Sequence, residues 1–390
     1  MPTRTSKSVS AGDLSRRDLN RATLARQFLL QRTSMPALDM IEHLVGLQAQ
    51  TPQTWYVGLW NRLEGFRGGQ MSDLLERRQV VRMALMRSTI HLVTAEDCLW
   101  LRPLVQPVIE RSTSGAFGRK LAGLDRDELA AAGRAWMDER PLTFSELGAR
   151  LRERWPDRDA AAMAQAVRAR VPLVQVPPRG LWGRSGPIEH TSVESWLGRR
   201  VATDPSPATM ILRYFAAFGP ATVRDVQAWS GLTRLAEVVD RLRPELVTFR
   251  DGEGRELFDL PDAPRPDPGA PAPARLLYDY DNLLLSHADR SRVVTDDYRT
   301  RGEEFVATNV MPSIVLVDGF TAGTWKVLRQ RGTATLAIQP LTGRLPEPVE
   351  AALTVEGAGL LHFLVPDDNH EIEFVASGAP WIGLPTAGRS

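Results

Sequence analysis

The sequence of 390 residues predicts an α+β fold in which tandem winged-helix (helix-turn-helix) units are followed by a small C-terminal β-barrel. Two observations predict the winged helices. An extended stretch at 80–93 follows a run of helices, and the same order of short helices and strand pairs recurs later in the chain. The barrel is predicted because short strands separated by turn signals follow a proline-rich segment at 261–274.

Four helices are predicted before the first strands, over residues 17–32, 36–50, 54–64 and 71–78. Apolar residues recur at helical spacing in the first of them, as on the buried face of a helix. The second is expected to begin at Pro36 and to end at Gln48-Ala49-Gln50, so that its last turn delivers two carboxamides to one pocket. The β-branched and apolar residues of 80–93 then predict the strand pair of a winged helix.

Two later segments repeat this plan. Thr143 and Thr222 each open a short helix, and Glu146 completes a capping-box pattern with the first threonine. A helix with arginines and a turn-rich strand pair follow in both segments. In a winged helix the helix at this place enters a groove of DNA. Winged helices also serve as protein–protein modules, so the repeat alone does not decide the partner.

The proline-rich segment 261–274 is expected to be a stiff spacer that marks a domain boundary. Beyond it, short strands are predicted at 313–319, 320–328, 333–340 and 359–366. A turn at 329–332 joins two of these strands into a hairpin with a basic tip. The predicted divisions of the chain are a disordered tail at 1–13, winged helices at 14–95, 96–203 and 204–262, and the linker with the β-barrel at 263–390.

Composition restricts the class of protein. A hydrophobic content of 43%, a charged content of 24% and a net charge of +1 are those of a globular protein without a strong overall attraction for nucleic acid. The single cysteine, Cys98, excludes a disulfide framework and a cysteine-rich metal site. No run approaches the roughly 18 apolar residues of a membrane span, and no signal-peptide core begins the chain. We therefore expect a soluble cytoplasmic protein that does not bind membranes.

Motifs for nucleotide, metal and serine-hydrolase chemistry are missing from the sequence. It contains no G-x-x-x-x-G-K-[ST] loop, no strand-borne G-x-G-x-x-G, no His-x-x-x-His pair and no G-x-S-x-G elbow. If the chain is an enzyme, we expect it to need neither a metal nor a cofactor.

The carboxamides of Gln48 and Gln50 suit one reaction in particular. A purine alkylated at N7 is already cationic and leaves readily, so hydrolysis of its N-glycosidic bond needs little acid catalysis. The enzyme has to expose the nucleotide, stabilise an oxocarbenium-like sugar and place a water. A glutamine is no strong base, but its carbonyl can accept a hydrogen bond from that water and orient it. In the alternative interpretation, both glutamines cap carbonyls or face solvent at a helix end.

Four motifs carry a resemblance to a known family: GLQAQTP at 46–52, MRSTIHLVTAED at 86–97, YDYDNLLLSHADRSRVV at 278–294 and DGFTAGTWKVLRQRG at 318–332. With them, the chain resembles the winged-helix DNA glycosylases of the AlkZ and YcaQ type from about residue 17 to 380. The catalytic motif of that family is Gln-x-Gln in the AlkZ branch and Gln-x-Asp in the YcaQ branch. Gln48-Ala49-Gln50 is similar to the first.

The resemblance implies tandem winged helices and a β-barrel that form a C-shape around duplex DNA. It implies a monomeric enzyme, associated with the nucleoid, that excises N7-alkylguanine and unhooks interstrand crosslinks, including those made by azinomycin-like toxins to which the producer must be resistant. The partner is then double-stranded DNA with alkylated bases or crosslinks. Since no lysine is poised beside the Gln motif, we expect a monofunctional enzyme that uses water.

The candidate catalytic residues are Gln48 and Gln50. The candidate DNA contacts are Arg87, His91, Arg168, Arg170, Arg184, His287, Arg290, Arg292, Arg329 and Arg331. Alternatives remain open for several of them. Arg87 and His91 could make structural hydrogen bonds, and the polar residues of 281–292 could be scaffold that holds a loop between domains. The hairpin arginines could belong to a solvated turn.

A function of another class rests on the same repeats. A non-catalytic winged-helix regulator or lesion sensor would use the glutamines structurally. A regulator would bind a promoter half-site with sequence specificity, whereas a glycosylase would bind many sequences with a salt-dependent affinity.

Overall fold

The computed structural model describes residues 10–308, 311–379 and 382, in an α+β arrangement of three open sheets. The first part of the chain contains β1 (Ser10–Leu14), α1 (Arg16–Arg26), α2 (Ala37–His43), β2 (Leu47–Gln48), α3 (Trp55–Trp60), α4 (Gly68–Glu76), β3 (Val80–Ala84) and β4 (Ile90–Thr94). The second part contains α5 (Ala95–Leu104), α6 (Gln106–Phe117), α7 (Arg126–Glu139), β5 (Leu142–Thr143), α8 (Phe144–Arg154), α9 (Ala160–Arg170), β6 (Leu173–Gln175), β7 (Glu189–Ser192) and α10 (Val193–Leu197).

The remaining elements follow α10. They are α11 (Pro207–Phe218), α12 (Val223–Ser230), α13 (Ala236–Leu242), β8 (Val247–Asp251), β9 (Glu256–Asp259), β10 (Arg275–Leu277), α14 (Asn282–Leu285), α15 (Asp296–Thr308), β11 (Ser313–Val317), β12 (Phe320–Gln330), β13 (Thr333–Pro340), α16 (Glu347–Leu364) and β14 (Asn369–Phe374).

The largest sheet has six strands in the order β2-β4-β3-β6-β7-β5. The strand pair predicted at 80–93 is confirmed as β3 and β4. Strands from both sides of the boundary predicted at residue 95 belong to this one sheet, because β6 pairs with β3 through Arg82 and Gln175. The division of the chain into three winged helices stays a prediction.

The helix predicted over 36–50 is too long, since α2 ends at His43. Val45 and Gly46 then take positive φ values of 54° and 89°, which turn the chain out of the helix. A Cβ at Gly46 would lie 2.9 Å from the carbonyl oxygen of Leu92, so this close approach needs a glycine. The chain continues as β2, antiparallel to β4. Gln48 therefore lies on a strand and not at a helix end.

A second sheet has the order β1-β8-β9. β1 runs parallel to β8, with Asp13 opposite Arg250. The disordered tail predicted for 1–13 thus contains strand residues from Ser10 onwards, and the rest of that tail lies outside the described residues. The strand forms because it covers an edge of the β8–β9 hairpin that would otherwise be unpaired.

The third sheet has five strands in the order β10-β11-β12-β13-β14, and it is open within the described part of the chain, where β10 and β14 form its edges. The predicted barrel is not observed there. The strand predicted at 359–366 is wrong for most of its length, because α16 extends to Leu364. Gly357, Leu360 and Leu361 of this helix are buried against the sheet at helical spacing. In a short apolar run, periodicity alone does not distinguish a helix from a strand.

The proline-rich segment 261–274 is not a free spacer. Three arginines of α1 donate hydrogen bonds to its carbonyl oxygens: Arg26 to Pro264, Arg17 to Pro268 at 2.7 Å, and Arg21 to Ala270 at 2.7 Å. α1 therefore fixes the course of the segment along the protein surface.

One hydrophobic core joins the Gln motif to the C-terminal sheet. It contains Leu47 and Ala49 of the motif together with Trp55, Leu276 and Ile338, all of which are buried. A separate core lies between the opposite face of β3 and β4 and the helices α5, α6 and α11. The segment that carries Gln48 is thus anchored in the interior and not in a mobile loop. Among the described helices, none has the length and apolar character to cross a membrane.

The capping box predicted at Thr143 is confirmed. The Thr143 hydroxyl accepts a hydrogen bond from the backbone N–H of Glu146 at 3.2 Å, and the Glu146 carboxylate accepts from the backbone N–H of Thr143 at 2.8 Å. We expect Thr143→Ala to lower the free energy of unfolding by about 1 kcal/mol, since the cap satisfies donors of the first helical turn. Urea unfolding of this variant beside Thr143→Ser, which keeps the cap, measures the effect. Equal losses in both variants would contradict it.

Candidate active site

The backbone of the Gln motif is held at three carbonyl oxygens by side chains from distant parts of the chain. The Asn282 amide donates to Gly46 O at 2.8 Å, the Tyr278 hydroxyl to Gln48 O at 3.0 Å and the Arg82 guanidinium to Ala49 O at 2.9 Å. Two of these residues belong to the motif 278–294. Tyr278 and Asn282 are therefore scaffold for the Gln segment, which agrees for these residues with one of the two interpretations of the motif.

Both glutamine side chains are anchored through their oxygens. Arg87 Nη2 donates to Gln48 Oε1 at 2.6 Å, and the backbone N–H of Ile90 donates to Gln50 Oε1 at 3.1 Å. Because a guanidinium and a backbone N–H can only donate, these contacts fix which end of each carboxamide is the oxygen. Gln48 is 3% exposed, whereas Gln50 is exposed. Within the described residues, no group accepts a hydrogen bond from Nε2 of either glutamine.

Arg87 is held in an unusual conformation. It lies in a short 3₁₀ turn between β3 and β4 with φ at 54°, and Ser88 follows with φ at 63°. Its Nη1 donates to Trp229 O, in the last turn of α12, at 2.5 Å, while Arg168 supports the turn by donating to Ser88 O at 2.8 Å. Such left-handed conformations cost of order 1–3 kcal/mol and cluster at functional sites.

His91 lies directly opposite Gln48 in the β2–β4 ladder. Its Nδ1 donates to Thr89 O at 3.0 Å, and the ring is buried. Burial and the neighbouring Arg87 lower the pKa of His91 to about 3, so the imidazole is neutral at pH 7 and a poor proton acceptor. Burial also lowers the pKa of Arg87 to about 10, which leaves the guanidinium charged at pH 7.

A carboxyl group contacts the residue that directly follows the motif. Asp279 accepts a hydrogen bond from the Thr51 hydroxyl at 2.6 Å through Oδ2, and its buried Oδ1 has no partner within the described part of the chain. Burial raises the pKa of this carboxyl group. Asp281, two residues further on, is fully buried and forms a bidentate ion pair with Arg62 at 2.7 and 2.8 Å.

Two of the residues expected to contact DNA are buried in the scaffold. His287 Nε2 donates to Phe218 O at 3.0 Å, and Arg292 donates to Pro220 O at 2.9 Å. They are 3% and 5% exposed, and both direct their polar groups to backbone carbonyl oxygens of the scaffold. Both fasten the segment after α14 to the end of α11.

The remaining candidate contacts are distributed over several elements. Arg87 and His91 lie against Gln48, Arg168 contacts Ser88 beside Arg87, and Arg290 is exposed and close enough to lower the pKa of Arg87. Arg184 is exposed, and its carbonyl oxygen accepts from Gln53 Nε2 at 3.1 Å.

Three further candidates are already engaged in ion pairs or lie at a hairpin tip. Arg170 pairs with Asp127 at 2.8 Å. Arg329 pairs with Asp368 at 2.7 Å, and Arg331 is exposed in the turn between β12 and β13. The structure shows no contact of these residues with the Gln segment.

Sequence reasoning missed Arg82 and the part played by Tyr278. Arg82 is 2% exposed, and its pKa is lowered to about 10 by burial and by Arg179. A single arginine within the apolar run 80–84 was the available signal, because a buried charge requires a specific partner. Tyr278 stood in a motif that was identified only by its polar residues.

Comparison with known proteins places this site in a family. The family described as DNA glycosylase AlkZ-like matches residues 41–363. A curated protein of Streptomyces sahachiroi, the interstrand DNA cross-link repair glycosylase, is 28% identical over 378 residues, which cover 86% of this chain and 95% of that protein. The solved structure of Streptomyces sahachiroi DNA glycosylase AlkZ superposes with a TM-score of 0.72 at 23% identity and covers 93% of this chain and 100% of its own, so the fold is shared. Since the family match spans most of the sequence, the chain belongs to the AlkZ-like DNA glycosylases.

Proposed function

We propose that this DNA glycosylase excises guanine alkylated at N7 from duplex DNA and unhooks interstrand crosslinks, and that Gln48 and Gln50 lie at the reacting nucleotide. The observation that carries the proposal is a pair of anchored carboxamides beside a histidine that is neutral at pH 7. A site of this kind suits a leaving group that needs no strong acid. The name of the Streptomyces relative supports the crosslink part.

The chemistry follows from the charge on an N7-alkylated guanine. When the C1′–N9 bond breaks, its electron pair neutralises the purine, and the sugar is left as an oxocarbenium-like cation. A water adds to C1′, and its surplus proton passes to solvent. Asp279, held by Thr51 directly after the motif, supplies negative potential on this side of the site in its ionised form. An unmodified guanine would leave as an anion, which the site is not equipped to protonate.

We propose further that the protein acts as a monomer and that the three predicted winged helices and the C-terminal sheet surround the duplex. The exposed arginines Arg184, Arg290 and Arg331 are then available for phosphates, together with Arg168 beside the site. Arg170 and Arg329 would have to leave their carboxylate partners to take part. Binding through phosphates predicts an affinity that falls steeply with salt and varies little with sequence.

The test is excision from a duplex that carries one N7-methylguanine, followed by alkali to cut abasic sites. We expect strand cleavage at the lesion only, and none at the same guanine unmodified. The same preparation should release one strand from a duplex crosslinked through N7. Failure on both substrates by a folded, DNA-binding protein would overturn the proposal. A covalent adduct trapped with borohydride would contradict hydrolysis by water.

A further inference from the structure

We infer that Gln48 and Gln50 act on the lesion as hydrogen-bond donors, and that Arg87 is the positioning residue that fixes Gln48 in this orientation. The inference rests on the proposed function, since it concerns the same site. It replaces the expectation that a glutamine carbonyl orients the attacking water.

The neighbours of the two carboxamides fix which end of each is the oxygen. Each Oε1 accepts from a group that cannot itself accept, namely the Arg87 guanidinium and the Ile90 backbone N–H. Rotating either amide by 180° would place an NH₂ group against a donor, which is repulsive. The orientation is therefore set by the surroundings. Each Nε2 is left as the end without a partner among the described residues.

The Arg87 guanidinium bridges α12 and Gln48. Its two Nη atoms reach in different directions, one to Trp229 O in the last turn of α12 and one to Gln48 Oε1. The carbonyl oxygens of a last helical turn lack intrahelical partners, so the first contact holds the guanidinium in place. A lysine has no planar fork and could not bridge both oxygens in the same way. The strained φ of Arg87 directs the side chain into this bridge.

Donors at this place match the change in the purine. As the C1′–N9 electron pair moves onto the base, N3 and O6 gain electron density and become better hydrogen-bond acceptors. Amide N–H groups directed at such an acceptor bind the purine more tightly in the transition state than in the ground state. This difference in binding accelerates the reaction. The chemical class of the ligand is thus the acceptor edge of a neutralising purine, and not the water.

Gln48→Glu separates donor from acceptor at the same size. The carboxylate keeps the contact with Arg87 as an ion pair, but it turns the free end from a donor into an acceptor. A negative charge beside an oxocarbenium ion would by itself speed the reaction, so the added charge opposes the decrease in rate that the inference predicts. We still expect single-turnover excision of N7-methylguanine, at saturating enzyme, to fall on the order of 10²–10³-fold, as for the loss of one preorganised donor. Gln48→Met, which removes both ends, should lose about as much.

The outcomes distinguish this inference from the proposed function. Excision by Gln48→Glu at or above the wild-type rate, with Gln48→Met impaired, would show that the oxygen acts, and would overturn the inference while the function stands. Wild-type rates in both variants would remove Gln48 from the site. An inactive wild-type protein would instead overturn the proposed function.

Arg87 is tested by a double-mutant cycle. We expect Arg87→Met to lower single-turnover excision on the order of 10²-fold, because a small displacement of a reacting group has this effect, while the Kd for lesion DNA changes less than about threefold. In a Gln48→Met background the same substitution should add little, since Gln48 no longer has an amide to orient. Equal losses in both backgrounds would show that Arg87 does not act through Gln48.

Arg87→Lys and Arg111→Met complete the design. Arg87→Lys keeps the charge but not the fork, so we expect it to resemble Arg87→Met; wild-type activity would contradict a positioning role for the fork. Arg111 is exposed and donates to Gly231 O at 2.8 Å, next to the segment that Arg87 holds, without a contact to Gln48. Arg111→Met should therefore retain excision. A loss equal to that of Arg87→Met would attribute the effect to the loop after α12.

Discussion

Gln48→Ala, Gln50→Ala should lose excision of N7-methylguanine by about 10³-fold or more while it still binds lesion-containing duplex. Removing one preorganised polar group at a reacting centre costs on the order of 10²–10³-fold in rate, and groups that act together are not additive. The fold should survive, because the motif is held through its backbone oxygens by Tyr278, Arg82 and Asn282, which the substitutions leave in place.

The measurement is the single-turnover rate with alkali cleavage of the abasic product, together with Kd and a thermal melt. Gln31→Ala, Gln79→Ala is the matched control, since both glutamines are exposed and their side chains make no hydrogen bond within the described part of the chain. Undiminished excision by the motif variant with an intact fold would show that catalysis resides elsewhere. A parallel loss in the control would indicate a general effect of surface substitutions.

The Gln motif stands out in the sequence, but the geometry that presents it does not. Residues 36–50 have continuous helical periodicity, and nothing local in this pattern marks Val45 as a residue that adopts a positive φ. The turn is imposed by β4, with which Leu47 and Gln48 pair. A pairing with a strand more than forty residues away is a tertiary effect, and local propensity does not contain it.

The motif 278–294 shows the opposite case. Its density of polar residues was visible in the sequence, and both interpretations, a DNA contact or a scaffold, were compatible with it. Burial distinguishes them, because His287 and Arg292 have their polar groups bound to backbone carbonyls of the α11 end. Short local patterns were more reliable: the capping box at Thr143 and the helix start at Thr222 were predicted, and both are present, the second also with a capping box. These depend on residues within one helical turn.

Family membership confirms that the chain is an enzyme of the DNA glycosylase kind, and with it the resemblance that the four motifs indicated. The structural relation to AlkZ supports the fold alone. The geometry of the site adds the orientation of the two carboxamides. A Gln-x-Gln pattern does not say which end of each amide faces the substrate, and only the donors that surround the two oxygens determine it.

The largest stability effect is expected at the ion pair of Arg62 and Asp281, which are both fully buried. Asp281→Asn should lower the free energy of unfolding by about 3–5 kcal/mol, because it leaves the Arg62 guanidinium buried without a counter-charge. Asparagine still offers an oxygen to the N–H of Leu283, so the loss reports the charge and not the helix cap. Urea or thermal unfolding at pH 7 measures it.

A matched pair of variants tests the cause. Glu96→Gln breaks an ion pair with Arg199 that is largely exposed, and it should leave the unfolding curve nearly unchanged, since solvent screens such a pair. Arg62→Met, Asp281→Asn removes both charges and should recover part of the stability that Asp281→Asn loses. If the double variant is the less stable of the two, the uncompensated charge is not the cause.

Because Asp281 lies between Tyr278 and Asn282, which hold the Gln segment, the same unpaired charge should also loosen the site, and excision should fall at temperatures well below the melt.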